Sequence, residues 1–355
     1  MALPSSELSM PLPLTVTIIL TVIAIAAYAV RAHGRRSRRG ARRRRGSLAE
    51  SFRRYLDGNL SAAQLLRATE QADEGNYWTV VESISLRIGR SDWIRLSQAL
   101  VESRHAKAER KALADDSPWR RVLATRRLAL LRSRASWRAL RRAMTRGPEM
   151  VTYASAMALA RFRDRGALRW ILAHQDAIAH RHRNGLVALM RAFGRRGLPV
   201  LTQALMRESS HPRFELAMVD ALGAGGFRDA RPCLERRLVS GDLDLRAAAA
   251  RALGLMQAVE CSTSLMASLK DEAWQVRAQA ARALGRIRVP LATQALAARL
   301  TDPSWWVRHH AAYALMEMGE DGQAALRRVV ADSTDAYARD MAREALDGGI
   351  KRLTA

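Results

Sequence analysis

The sequence predicts an all-α chain: a right-handed α-solenoid of helix pairs, preceded by a single transmembrane helix. Three observations predict it. Phe214, Leu245, Val276, Val307 and Ala338 stand 31 residues apart, and Leu222, Leu253, Leu284, Leu315 and Leu346 keep that spacing eight places later. A fixed period held over four to five units is the signature of stacked repeats. Residues 11–30 carry no charged side chain and are rich in Leu, Ile, Val and Ala. Finally, no segment shows the alternation of a half-buried strand.

Within one unit, Val276, Ala280, Ala283 and Leu284 fall at i, i+4, i+7 and i+8, a single apolar stripe of a helix. Ala221, Ala252, Ala283, Ala314 and Ala345 form a further 31-residue column, small enough to let neighbouring helices approach closely. Gly254 and Gly285 follow the last stripe residue, where a left-handed helix stop is expected. A second apolar segment follows each turn: 198–206, 233–238, 264–269, 291–300 and 324–330. A helix pair this short cannot bury its own core, so it must stack on the next.

Residues 211–355 form the regular repeats, residues 118–210 degenerate ones and residues 47–117 an irregular helical cap. In the cap, Leu48, Phe52, Tyr55 and Leu56 make a stripe ended by Asp57-Gly58-Asn59, and Ser61 caps a second helix. Pro118 opens a helix expected to reach Leu131, answered by Trp137 to Met144. Val151, Ser155, Ala158 and Leu159 repeat the stripe, and Gly194 closes the helix bearing Leu186, Met190 and Phe193.

Residues 1–10 hold one charge, Glu7. A helix over residues 11–30 would be about 30 Å long, the thickness of a bilayer's hydrocarbon core. Residues 31–46 form an arginine-rich linker containing Arg31, Arg35, Arg36, Arg38, Arg39, Arg42, Arg43, Arg44 and Arg45. That asymmetry is the positive-inside pattern, placing the N-terminus outside and the repeats in the cytoplasm of a single-pass membrane protein. A cleaved signal peptide competes, since Ala27-Tyr28-Ala29 resembles a cleavage site. It lacks a basic residue before the apolar stretch and would have to export nine arginines. The linker arginines suit anionic lipid head groups at about 1 kcal/mol each. Residues 31–54 supply +10 of the net charge of +25, and residues 55–355 supply +16 against −1 from Glu7. The excess biases the repeats toward acidic partners.

Chemistry-bearing motifs are few. His174, Asp176, His180 and His182 cluster, but at spacings that fit metal ligation on helices poorly. His309-His310 lies on a first helix, one ring facing out and the other packing. Gly223-Ala-Gly225-Gly226 follows a helix, not a strand, and is a turn and not a phosphate loop. Cys233 and Cys261 read as buried thiols in a reducing compartment. No nucleophile elbow, Cys-x-x-Cys or P-loop occurs. The sequence therefore predicts no catalytic residue, no metal and no cofactor.

Asp302-Pro303-Ser-Trp305-Trp306-Val307-Arg308, followed by Ala-Ala-x-Ala-Leu315, resembles the short HEAT-like repeat, a kind shared with phycobilisome lyases. Asp271 to Arg277 matches it equally, and Asp242 to Gly254 matches without the tryptophan. The resemblance covers roughly the last 145 residues. It implies that Asp271, Arg277, Asp302 and Arg308 are rungs of a structural ladder, interrupted where Phe214-Glu215 replaces the Val-Arg pair. It also implies that second helices line a concave binding face, which would display Arg207, Arg236, Arg237, Arg299, Arg327 and Arg328. Trp274 and Trp305 share a repeat position and are expected to pack between units, leaving Trp306 as the exposed contact. Among enzymes of this architecture, deoxyhypusine hydroxylase holds iron with His-Glu pairs, and no histidine here precedes a glutamate. The lyases share the scaffold, with no chromophore-handling residue carried over. HEAT-like DNA glycosylases need an acidic residue among groove tryptophans, a trio missing from the second helices, so nucleic acid is disfavoured. The expectation is a membrane-anchored scaffold binding an acidic or membrane-bound protein, such as a glycosyltransferase of a membrane complex. Nucleic-acid binding through the basic groove and a lyase-type enzyme are the alternatives.

Overall fold

The alanine columns do what their size allows, because helices bearing them lie close enough to leave no room for a further carbon. A computed structural model describes residues 40–207 and 211–353. The expected segments 1–10 and 11–30 lie outside the described residues, as do Arg31, Arg35, Arg36, Arg38 and Arg39. Among the described residues there is no strand, and no helix is long and apolar enough to cross a membrane.

The described chain divides into two compact units. One comprises residues 40–111 and 130–136, the other residues 112–129 and 137–353. The first opens on α1, residues 40–56, so Arg42 to Arg45 are helical residues in this structure. It continues through α2 (Ala62–Glu70), α3 (Glu74–Ser85), α4 (Arg90–Leu100) and α5 (Arg104–Ala112). Ser61 accepts from the Gln64 amide while the Gln64 side chain returns to the Ser61 N–H, a complete capping box. Phe52, Leu65, Tyr77, Val81, Leu96 and Leu100 are fully buried and form this unit's core.

The second unit is a series of helix pairs. First helices are α6 (Pro118–Leu128), α8 (Glu149–Arg161), α10 (Arg183–Ala192), α12 (Pro212–Gly225), α14 (Leu243–Leu255), α16 (Trp274–Ile287), α18 (Trp305–Glu317) and α20 (Ala336–Leu353). Second helices alternate with them: α7 (Arg134–Arg146), α9 (Arg165–Ala173), α11 (Leu198–Leu205), α13 (Arg231–Arg236), α15 (Ser262–Ser268), α17 (Thr293–Ala297) and α19 (Glu320–Asp332). Each first helix packs on the next in the series. Leu222, Leu253, Leu284 and Leu315 are fully buried, as are Phe214, Val276 and Val307. Burial of each large side chain contributes about 1.5–3 kcal/mol. Helix α6 stops at Leu128, short of the expected Leu131, where the Ala129 amide caps back to Thr125.

Gly254 and Gly285 correct the expectation of a left-handed stop. Both are inside their helices, which run on to Leu255 and Ile287. The left-handed residues are Gln257 and Arg288 instead, with φ of 51° and 58°. A Cβ on Gly254 would lie 2.6 Å from the Cα of Ala283, and one on Gly285 equally close to that of Ala314. Gly223 meets Ala252 in the same way. Glycine is there so that successive first helices can touch backbone to side chain.

Candidate docking face and its braces

Two sets of charged side chains knit the repeats together, and a third remains at the surface. Arg246, Arg277, Arg308 and Arg339 hold one place in four successive first helices. Each donates Nη1 to the carbonyls six and five residues earlier, in the loop that opens its own helix. The rest of the guanidinium reaches forward. Arg277 donates Nε to Asp302 Oδ2 at 2.8 Å and Nη2 to Oδ1 at 2.9 Å. Arg246 grips Asp271 likewise, at 2.8 and 3.0 Å. The Asp302 side chain is 2% exposed and that of Arg277 12%. Burial pushes the Asp302 carboxyl up, but Arg277 and the Ser304 amide outweigh it and hold it below its usual value.

Arg308 has no forward carboxylate, because Ser333 stands where Asp302 and Asp271 stand one and two repeats earlier. Its guanidinium lies over the Tyr337 ring at 5.3 Å. At the other end Glu215 replaces the arginine, and the charge is answered from the second helix. Arg237 donates Nε to Glu215 at 3.0 Å and Nη2 to the Leu205 carbonyl at 2.6 Å. Arg237 is 6% exposed, which corrects its placement on an open basic face: it is a buried brace. A second brace was not anticipated at all. Asp220 on α12 accepts from Arg183 of α10 at 2.6 Å and is also paired with Arg251 of α14.

Of the other expected contact residues, Arg207, Arg236, Arg327 and Arg328 are exposed. Arg299 is half-buried and donates to the Leu269 carbonyl at 3.2 Å. Arg207 opens onto a cavity of about 830 Å³ between second helices α9 and α11, and the remaining arginines of the expected set do not line it. Arg169, Gln175, Asp176, Gln203 and His211 complete its polar wall. The Gln175 side chain accepts from the His211 amide at 2.7 Å, tying the two loops across it. Two guanidinium groups against one carboxylate make this hollow electropositive. Arg169 was missed in the sequence because its helix belongs to the degenerate repeats, where no period marks the second-helix face.

Trp274 and Trp305 do not pack away between units: they are 40% and 45% exposed, beside Trp306 at 51%. On α18, Trp305 stacks on His309 with centroids 4.8 Å apart and meets Trp306 edge-on at 4.9 Å. Burial, together with His309 and Arg282, pushes His310 down to about 4, so its ring is neutral near pH 7. The His174 ring stacks on Trp170 at 4.4 Å, and His180 faces Glu149 at 3.3 Å. Cys261 is pushed up to about 12 by burial and by the Glu235 carboxylate.

Residues 198–271 and 262–347 match the family model described as HEAT repeats. Residues 198–347 carry HEAT repeats. No curated protein matches the sequence. Among solved structures, human deoxyhypusine hydroxylase in complex with glycerol is 22% identical, with 68% of this chain and 96% of that chain covered and a TM-score of 0.32. An engineered protein is 18% identical over 82% of this chain and 91% of its own, with a TM-score of 0.37. Importin beta is 16% identical over 82% of this chain and 41% of its own, with a TM-score of 0.39.

Proposed function

We propose that the protein is a membrane-tethered scaffold whose HEAT repeats dock an acidic segment of another protein in the cytoplasm. The observation carrying this is the electropositive hollow between α9 and α11, with Arg169 presented on α9 and Arg207 in the turn that follows α11. Repeat stacks offer broad surfaces held at fixed spacing, which suits recognition of an extended or helical segment. The apolar stretch 11–30 and the arginines after it support a single-pass anchor with the repeats on the cytoplasmic side. A client fixed in the same bilayer, such as a membrane-bound glycosyltransferase, would meet the repeats at raised effective concentration.

The test is co-purification from solubilised membranes of the native chain and of an Arg169→Glu/Arg207→Glu variant. Docking through the hollow is expected to cost a specific co-purifying protein about tenfold in recovery, equivalent to about 1.4 kcal/mol. A partner set indifferent to the reversal removes this reading. Co-purifying nucleic acid that dissociates steeply with salt would favour the basic-groove alternative instead.

A further inference from the structure

The first unit holds a groove of different chemistry from the hollow on the repeats. It is a cavity of about 390 Å³ between α1 and α3. Phe52 and Val80 form its buried floor, and Leu56, Ile84 and Ile88 its half-buried walls. The rim is cationic: Arg45, Arg53 and Arg87 are exposed around it, and no carboxylate lines it among the described residues. Arg45 and Arg53 are steadied by Asn76 at 2.5 Å and Glu50 at 2.7 Å. Next to Arg87, Leu86 stands 82% exposed at the end of α3.

We infer that this groove takes an acyl chain of an anionic phospholipid, with the head-group phosphate held by Arg53, Arg87 and Arg45. Charge selects the occupant. A neutral apolar peptide, including the uncharged segment 11–30, would fill the floor but bring no anion to Arg45, which meets only the neutral Asn76 amide, or to Arg87, whereas an anionic lipid satisfies both halves, with Arg53 already paired to Glu50. Position supports it as well. Nine residues separate residue 30 from α1, a reach of at most about 30 Å when extended, so a bilayer-inserted 11–30 keeps the groove near the head groups. Exposed Leu86 between the arginine-lined rim and solvent has the amphipathic character of a residue that enters the interface. At about 390 Å³ the cavity lies within the size range of small-molecule pockets, room for part of an acyl chain. This inference rests on the anchored reading of residues 11–30.

The experiment uses the full chain in nanodiscs containing phosphatidylglycerol that bears a diazirine on its acyl chain, with adducts mapped by peptide mass spectrometry. Adducts are expected on residues 45–56 and 79–88 as well as on 11–30. Arg53→Glu/Arg87→Glu, both at exposed positions, is expected to reduce the groove adducts at least about tenfold and spare those on 11–30, given about a fivefold affinity loss per juxtamembrane arginine. The same probe on phosphatidylcholine is expected to label the groove as weakly as the variant. Adducts on 11–30 alone would overturn the groove and leave the anchor standing, and no adducts anywhere would remove both. Labelling indifferent to the arginines and to the head group would overturn the anionic assignment. A photo-crosslinking residue at position 84 that captures segment 11–30 would replace the lipid with the chain's own N-terminus.

Discussion

Removing the Asp302 carboxylate should be among the most damaging single changes in the repeats. Asp302→Ala deletes the two guanidinium hydrogen bonds from Arg277, at 2.8 and 2.9 Å, and the bond from the Ser304 amide at 2.9 Å. It strands a guanidinium that is only 12% exposed between α16 and α18. An exposed ion pair contributes about 0–1 kcal/mol, whereas breaking a buried one costs about 3–5 kcal/mol, and the burial here selects the larger figure. Asp271→Ala should cost less, because Arg246 keeps Glu272 at 3.3 Å. Arg308→Met should cost about 1 kcal/mol, since that arginine hydrogen-bonds the carbonyls of its own loop and reaches forward only to the exposed Tyr337 ring. Replacing both partners, Arg277→Met with Asp302→Leu, should recover most of the loss, as an apolar pair leaves no stranded charge. The assay is urea unfolding of the detergent-purified chain by circular dichroism, with hydrogen exchange reporting α16 and α18. Costs for Asp302→Ala below about 1 kcal/mol, or equal to Arg308→Met, would refute the ladder as the brace between repeats.

Three further outcomes can be checked. Gly285→Ala should destabilise by about 1–2 kcal/mol despite alanine's helix propensity, because its Cβ would sit 2.6 Å from the Ala314 Cα. Gly322→Ala should cost more, its Cβ running into the Leu315 carbonyl oxygen, and thermal melts would rank the two. His310, with a folded value near 4 against an ordinary 6.5, favours the unprotonated fold. Stability should be complete above about pH 6.5 and fall as pH drops toward 4, and His310→Gln should flatten that slope in melts across the range. Cys233 and Cys261 are both buried with raised thiols, so Ellman's reagent at pH 8 should react with neither until urea is added.

The repeat fold was legible because one helix stripe recurs with an unvarying period, which leaves chance no room. Local ambiguities were not so resolved. A glycine after the last stripe residue can either stop a helix or admit a neighbour. Only the alanine 29 places later, as in Gly254 and Ala283, tells which. The buried role of Arg237 was hidden because α13 ends at Arg236 and a tighter turn carries the next residue inward. A signal did exist: Glu215 holds the place that arginine takes in the next four repeats, and a half-buried carboxylate there requires a cation from elsewhere. The tryptophans misled for another reason. A shared repeat position shows that side chains play equivalent parts, and Trp274 and Trp305 are equivalently exposed.

The most direct measurement is photo-crosslinking from Gln203, an exposed residue in the wall of the hollow, in the full chain within native membranes. A docking scaffold should yield one dominant adduct with a protein, lost when Arg169 and Arg207 are reversed to glutamate. Adducts only with solvent, or a pattern untouched by the reversal, would contradict docking through this face.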